Sequence, residues 1–176
     1  MKIVYPNYNR CITNLACSIM KYFEIETSHD SIVEVDKLLE NNPKNVVVVL
    51  CDGLGSNILK KTLPNNSFLI KNKFLDITAV SPATTTASTT SILSGLNPNE
   101  HGWLGWDLYI KPIDKIVTMF LNTLKDTEIQ AENYDAANRY FPYENIITKI
   151  NKNDKYYAKA LFPFGKEPYT SFDDMI

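Results

Sequence analysis

Val46-Val47-Val48-Val49-Leu50-Cys51-Asp52-Gly53 is the stretch whose reading decides the fold. Four valines and a leucine in a row, with no alternation of apolar and polar residues, read as a strand buried on both faces. Such strands belong mostly to parallel sheets covered by helices. This one ends in Asp-Gly, a turn dipeptide. About thirty residues later comes a hydroxyl-rich segment, Pro82-Ala83-Thr84-Thr85-Thr86-Ala87-Ser88-Thr89-Thr90-Ser91, followed by Leu93-Ser94-Gly95-Leu96-Asn97-Pro98-Asn99-Glu100-His101-Gly102.

Working outward, Leu15, Ala16, Ile19, Met20 and Phe23 recur at helical spacing and predict a helix over 13–23. Asp30 or Ser31 can cap a second helix, with Ser31 and Glu34 at capping-box spacing. Its apolar positions Ile32, Val35, Leu38 and Leu39 run on until Asn41-Asn42-Pro43 stops it. After the valine strand, a helix is expected over 56–63, a second strand over 74–80 and a helix over 87–93 that stops at Gly95 and Pro98.

Residues 116–124 form a mixed apolar segment, 142–150 a helix with Pro142 in its first turn, and 157–162 a further strand. The order β-α-β-α followed by more α and β predicts an α/β fold with a mainly parallel sheet flanked by helices. No repeat, low-complexity tract or linker divides the chain, so residues 1–176 are read as a single domain.

The totals exclude several classes. At 176 residues, 44% hydrophobic and 22% charged, the chain is long and apolar enough to bury a core and is not a disordered one. A net charge of -2 without a run of one sign gives no electrostatic footprint for nucleic acid or anionic lipid. The longest apolar run, 46–51, is too short to span a bilayer. Cys11, Cys17 and Cys51 are odd in number and lack C-x-x-C spacing, so neither a disulfide framework nor a structural zinc site is expected. The N-terminus has no signal-peptide core, and a reduced, cytoplasmic protein is the expectation.

Asp52 lies where a parallel strand would end, on the edge at which open α/β sheets bind ligands, although a plain turn would also account for it. Gly53-Leu54-Gly55 begins like a dinucleotide loop, but Ile58 fills the third glycine's place. One of Thr84, Thr85 and Thr86 would serve as an N-cap. A helix N-terminus also presents backbone N–H groups to an anion, and a threonine there can attack phosphorus when a divalent metal lowers its hydroxyl pKa. Asp52 supplies the hard oxygen ligand that such a metal needs.

His29 reads as a surface residue and Cys51 as a small core residue, while His101 fits a structural hydrogen bond as well as a catalytic task. Trp103, Trp106 and Tyr109 read either as a packed loop or as faces for stacking on a base.

A β-branched strand ending in D-G, then P-x-T-T, then S-G-L-x-P-x-x-H-G resembles the alkaline phosphatase superfamily, and within it the type I phosphodiesterase/nucleotide pyrophosphatase branch. The resemblance covers about 46–107. It implies that Asp52 is a metal-ligand aspartate and that Thr85, counted back from Ser94-Gly95-Leu96, is the nucleophile and a ligand of the same metal. It also implies two divalent ions, usually Zn²⁺, a covalent phospho-threonine, and a small phosphoester or nucleotide as substrate.

Two departures follow from the same comparison. Trp106 stands where nucleotide pyrophosphatases often carry a phosphate-binding Asn, which makes it the candidate substrate contact. The family completes its site with downstream Asp-x-x-x-His, Asp-His and a late His, whereas no histidine follows His101 here. The chain therefore supplies ligands for at most one ion.

Thr170-Ser171-Phe172-Asp173-Asp174 is a helix start followed only by Met175 and Ile176. With the missing ligands, it marks the chain as the N-terminal part of a longer catalytic domain, the fold being incomplete at its C-terminus. Such a chain is expected to bind zinc weakly and to be nearly inactive alone. The alternatives are an inactive relic or association partner, and, within the superfamily, phosphomonoesterase, sulfatase or phosphomutase chemistry.

Overall fold

The computed structural model describes residues 4–133 and 135–161. The first helix, α1, spans Ile12–Tyr22, close to the stretch that its apolar spacing predicts. It buries Ala16, Cys17, Ile19 and Met20 against α5, Thr85–Ser94. Gly95 ends α5 in the left-handed region at φ 72° and faces Met20 of α1. A side chain there would carry two penalties, because a Cβ would stand 2.6 Å from Met20 Sδ.

The second helix, α2, is Val33–Leu39, and its N-cap is Ile32 rather than Asp30 or Ser31. Ser31 instead donates its hydroxyl to Asp36 at 2.6 Å, and Glu34 pairs with Arg10, so the capping-box partners are both engaged elsewhere. Ser18 of α1 takes up the Ile32 N–H at 2.8 Å.

The valine run stands apart from the rest. Residues 46–51 form no ladder with any described residue, and Val47 and Val49 are 82% and 78% exposed. The reason is physical: β-branched residues favour an extended backbone, but a strand exists only where a neighbour accepts its hydrogen bonds. Cys51, read as a core residue, is exposed with the rest of the run.

Helix α3, Ser56–Thr62, follows where expected, but neither it nor α4, Phe68–Lys71, buries a residue. Of the strand expected over 74–80, only one isolated parallel bridge forms, between Cys11 and Thr78. It still brings Val80 into a small cluster with Cys11 and Ala87.

The sheet that the described residues do form is antiparallel, in the order β1-β2-β3. Strand β1, Asp107–Ile110, pairs with β2, Lys115–Thr118, in the register Asp107↔Thr118 to Ile110↔Lys115. Lys111–Ile113 makes a short 3-10 turn between them. Strand β3, Thr123–Leu124, adds to β2 through Val117↔Leu124. The segment 116–124, open to helix or strand from its sequence, is thus two strands and a turn.

The described architecture is α/β, but no parallel sheet forms among these residues. Helices α6, Pro98–His101, α7, Ala136–Tyr140, and α8, Ile146–Asn151, complete it. Asp135 caps α7 through the Ala137 and Asn138 amides, and Asn145 caps α8 through that of Ile147. Pro142 accordingly lies before α8, not in its first turn. Residues 157–161 form no ladder, residue 162 of that expected strand lies outside the described residues, and so does the helix start over 170–174.

Two larger clusters hold the fold. Ile19 and Met20 meet Ile146 and Ile150, so that α8 closes over the α1 contact. Trp103, Ile110, Val117, Met119 and Ala131 with Ala136 and Ala137 join the sheet to α7. Trp103 is fully buried, donates its indole N–H to the Phe141 carbonyl at 2.9 Å and meets Tyr143 edge-on. Trp106 is 49% exposed and rests edge-on against Phe120. Tyr109 is exposed and donates to Asp114 at 2.6 Å.

Trp103→Ala is expected to cost about 3–5 kcal/mol in urea unfolding, and Trp106→Ala about 1 kcal/mol or less. Equal losses, or the reverse order, would contradict this division of the tryptophans.

Candidate active site

The three consecutive threonines at the start of α5 have three different environments. Thr84 is the N-cap: its hydroxyl accepts the Ala87 N–H at 3.2 Å and donates to the Leu104 carbonyl at 3.0 Å. Both roles of that hydroxyl are taken. A rotation of about 100° per residue along a helix then separates its two successors. Thr86 turns inward and is buried, with no hydrogen bond to its hydroxyl among the described residues. Thr85 turns outward and is exposed.

Thr85 faces Asp52. Its Oγ1 lies 3.4 Å from each of the two carboxylate oxygens, long for a hydrogen bond between oxygens and symmetrical between them. Asp52 reaches this place because Gly53 adopts φ 65°, a left-handed turn that a side-chain-bearing residue rarely takes. The segment that carries Asp52 is tied at its two ends. Tyr22 donates to the Pro43 carbonyl at 2.8 Å, and Ser56 donates to Asp76 at 2.6 Å.

The family resemblance implies divalent metal, and the donor set can be tested against it. Two zinc ligands at about 2.0–2.1 Å and a tetrahedral angle stand about 3.3–3.4 Å apart. The separation of Thr85 Oγ1 from the Asp52 oxygens is of that size, and both are hard oxygen donors. These residues fit part of the shell of one ion. Among the described residues no group of three or more His, Cys, Asp or Glu side chains comes together to complete it.

His101 is 2% exposed at the end of α6. Its Nδ1 accepts the Trp103 N–H at 3.0 Å, which leaves the proton on Nε2, 3.1 Å from the Ser91 hydroxyl on α5. Burial pushes its pKa down to about 4, against a smaller opposing pull from the Glu100 carboxylate. It is a structural hydrogen-bonding residue that ties α6 and the Trp103 loop to α5. His29, expected at the surface, is partly buried and pairs with Glu100 at 2.6 Å.

Trp106 lines a groove with Asp107, Thr118 and Thr123, beside the antiparallel sheet. The residue that the sequence reading underused is Leu104, whose carbonyl holds the cap. Its contribution comes from the backbone, so its side-chain type carried no signal.

With this geometry in view, comparison with protein families is decisive. The sequence model of type I phosphodiesterase / nucleotide pyrophosphatase matches residues 46–172, most of the chain, beginning at the valine run. The chain belongs to this family. It is by family a phosphodiesterase- or pyrophosphatase-type hydrolase, acting on small phosphoester or nucleotide substrates. Comparison with curated proteins and with solved structures gives no match. No helix among the described residues is long and apolar enough to cross a membrane.

The neutral His101 makes a signed expectation. Its folded pKa, about 4, lies below the ordinary 6.5, so the unfolded chain takes up the proton first as pH falls. The stability it contributes is present above about pH 6.5 and is lost progressively towards pH 4, by up to about 3 kcal/mol. Urea unfolding at stepped pH should show a flatter acid limb for His101→Gln than for the native chain. Parallel acid limbs would contradict the buried neutral imidazole.

Proposed function

We propose that this chain carries the nucleophile half of a metal-dependent phosphodiesterase or nucleotide pyrophosphatase site, with Thr85 as nucleophile and Asp52 as ligand of the metal that activates it. The single observation that supports this most is the sorting of the threonines. Thr84 is spent as a cap, Thr86 is buried, and Thr85 alone of the three combines exposure with a carboxylate at 3.4 Å.

A divalent ion, Zn²⁺ on this reading, would be held by Asp52 and Thr85 Oγ1, where it lowers the hydroxyl's proton affinity and draws charge from the phosphoryl group. The protein's own parts do the rest. The amides of Thr85 and Thr86 have no acceptor within the helix, because the first N–H groups of any helix lack one. Together with the positive end of the α5 dipole, they favour the phosphoryl oxygens.

Thr85 Oγ1 bonds to phosphorus as the bond from phosphorus to the leaving oxygen breaks; the phosphoryl-threonine keeps the substrate's other ester group, and the threonine proton passes by way of solvent to the alcohol or phosphate released. Water then cleaves the phospho-threonine and restores the hydroxyl.

The finer architecture belongs to the same reading. The run 46–51 is a strand of a mainly parallel sheet on this reading, as its β-branched composition supports. On this reading the described residues supply ligands for at most one ion. The three free cysteines support a reducing, cytoplasmic setting.

Thermal melting of the full chain with and without Zn²⁺ tests the site. Ion binding to the folded state should stabilise the native chain by about 1–3 kcal/mol near saturation. Asp52→Ala should abolish that increment, and Thr85→Val should reduce it. An undiminished increment in Asp52→Ala would refute the metal role given to this carboxylate.

A further inference from the structure

Asp52 and Thr85 lie on parts of the chain that are held in different ways. Thr85 sits on α5, which packs on α1. Asp52 precedes α3 and α4, neither of which buries a residue. Core packing therefore does not set where the Asp52 carboxylate stands, and the task falls to hydrogen bonds. Among the described residues, the bond that leaves α3 for another part of the chain is made by Ser56.

Ser56 opens α3 just after the Asp52-Gly53 turn. Its hydroxyl donates to one oxygen of the Asp76 carboxylate at 2.6 Å, and Lys73 donates its ammonium to the other. Both oxygens are engaged, one by each partner, which fixes the direction of the carboxylate as well as its place. The Lys73 ammonium first, and the Ser56 hydroxyl second, hold the Asp76 carboxyl below its ordinary pKa.

Asp76 in turn joins the fastened part of the chain. Two residues on, Thr78 donates its N–H to the Arg10 carbonyl at 3.1 Å, and its own carbonyl accepts the Ile12 N–H at 3.1 Å. Val80 follows, 2% exposed and packed with Cys11 and with Ala87 of α5. A run of contacts thus leads from α5 through Val80, Thr78 and Asp76 to Ser56 and the turn that carries Asp52.

Magnitude decides what these contacts can do. Asp76 is exposed, and an exposed pair such as Lys73–Asp76 adds little to the stability of a fold. Its effect is on position, since a pair of ligands binds more tightly the less freedom it must give up. We propose that Asp76 is a positioning residue for the ion site. By holding Ser56 it keeps the Asp52 turn against the body that carries Thr85, and so sets how tightly the two oxygen ligands bind a divalent cation. The inference rests on the reading of Asp52 and Thr85 as ligands of one ion.

The test uses the full chain and Zn²⁺ alone, with affinity from calorimetric titration. Urea unfolding of the metal-free chain controls for a merely structural effect, and amide hydrogen exchange over 52–59 reports on the tether. Asp76→Ala and Ser56→Ala should each weaken Zn²⁺ binding about fivefold, the net size of one hydrogen bond, and speed that exchange, with the urea midpoint at its native value. The double variant should bind no more weakly than either single one, because both break the same contact. Ser56→Thr, which keeps the hydroxyl, should retain native affinity.

Native affinity in both alanine variants, full additivity in the double variant, or a urea midpoint that falls in step with affinity would overturn the proposal. Failure of the ligand reading looks different: the native chain would bind no Zn²⁺, or Asp52→Ala would bind it as tightly as the native chain, and the proposal would fall with it. The account requires Asp52→Ala to bind more weakly than either tether variant.

Discussion

The site depends on the hydroxyl of Thr84. It accepts the Ala87 N–H and donates to the Leu104 carbonyl, and these two bonds fix both where α5 begins and how it is rotated. A cap of this kind contributes about 1 kcal/mol to a helix, but its consequence here is positional. With Thr84 set as the cap, the next residue must face out and the one after must face in. The chemistry available at Thr85 therefore follows from a bond made by its neighbour.

The rest of the described fold secures that bond from behind. Leu104 is held because Trp103 is locked in the core, with its backbone N–H on His101 and its indole N–H on Phe141. His101 returns to α5 through Ser91, so the helix and the loop that caps it are tied at two points. On the other flank α1 packs on α5, with Gly95 leaving room for Met20. The contrast with Asp52 is plain, since among the described residues its segment is tied near its ends, at Pro43 and Ser56, and exposes its valines. One half of the Asp52–Thr85 pair sits on a capped helix, and the other next to an apolar run that forms no ladder among the described residues.

What the sequence disclosed follows the range of the interactions involved. Helix α1 and helix α5 were legible because apolar spacing, caps and Gly95 are local signals. The antiparallel pair Asp107–Ile110 and Lys115–Thr118 was not, because four-residue strands carry little pattern and their register is set by partners across a turn. Helix α7, of five residues, is shorter than any periodicity can reveal. For the valine run the composition was read correctly as β-favouring, but pairing is a property of neighbours, and no ladder forms.

At the site, Asp52 and Thr85 were placed by resemblance to a family motif, and the structure brings them within 3.4 Å. Trp106 was placed by counting along the same motif, and it lines a groove beside the antiparallel sheet.

The central claim is that the capped helix start makes Thr85, and neither neighbour, the nucleophile. It is tested most directly by incubating the full chain with Zn²⁺ and a p-nitrophenyl phosphonate ester, then mapping the adduct by peptide mass spectrometry. Attack by the hydroxyl expels p-nitrophenolate and leaves a stable phosphonyl group on the attacking oxygen. The account requires that group on Thr85 and its loss in Thr85→Val. An adduct on Thr84 or Thr86, or none on this helix, would contradict it.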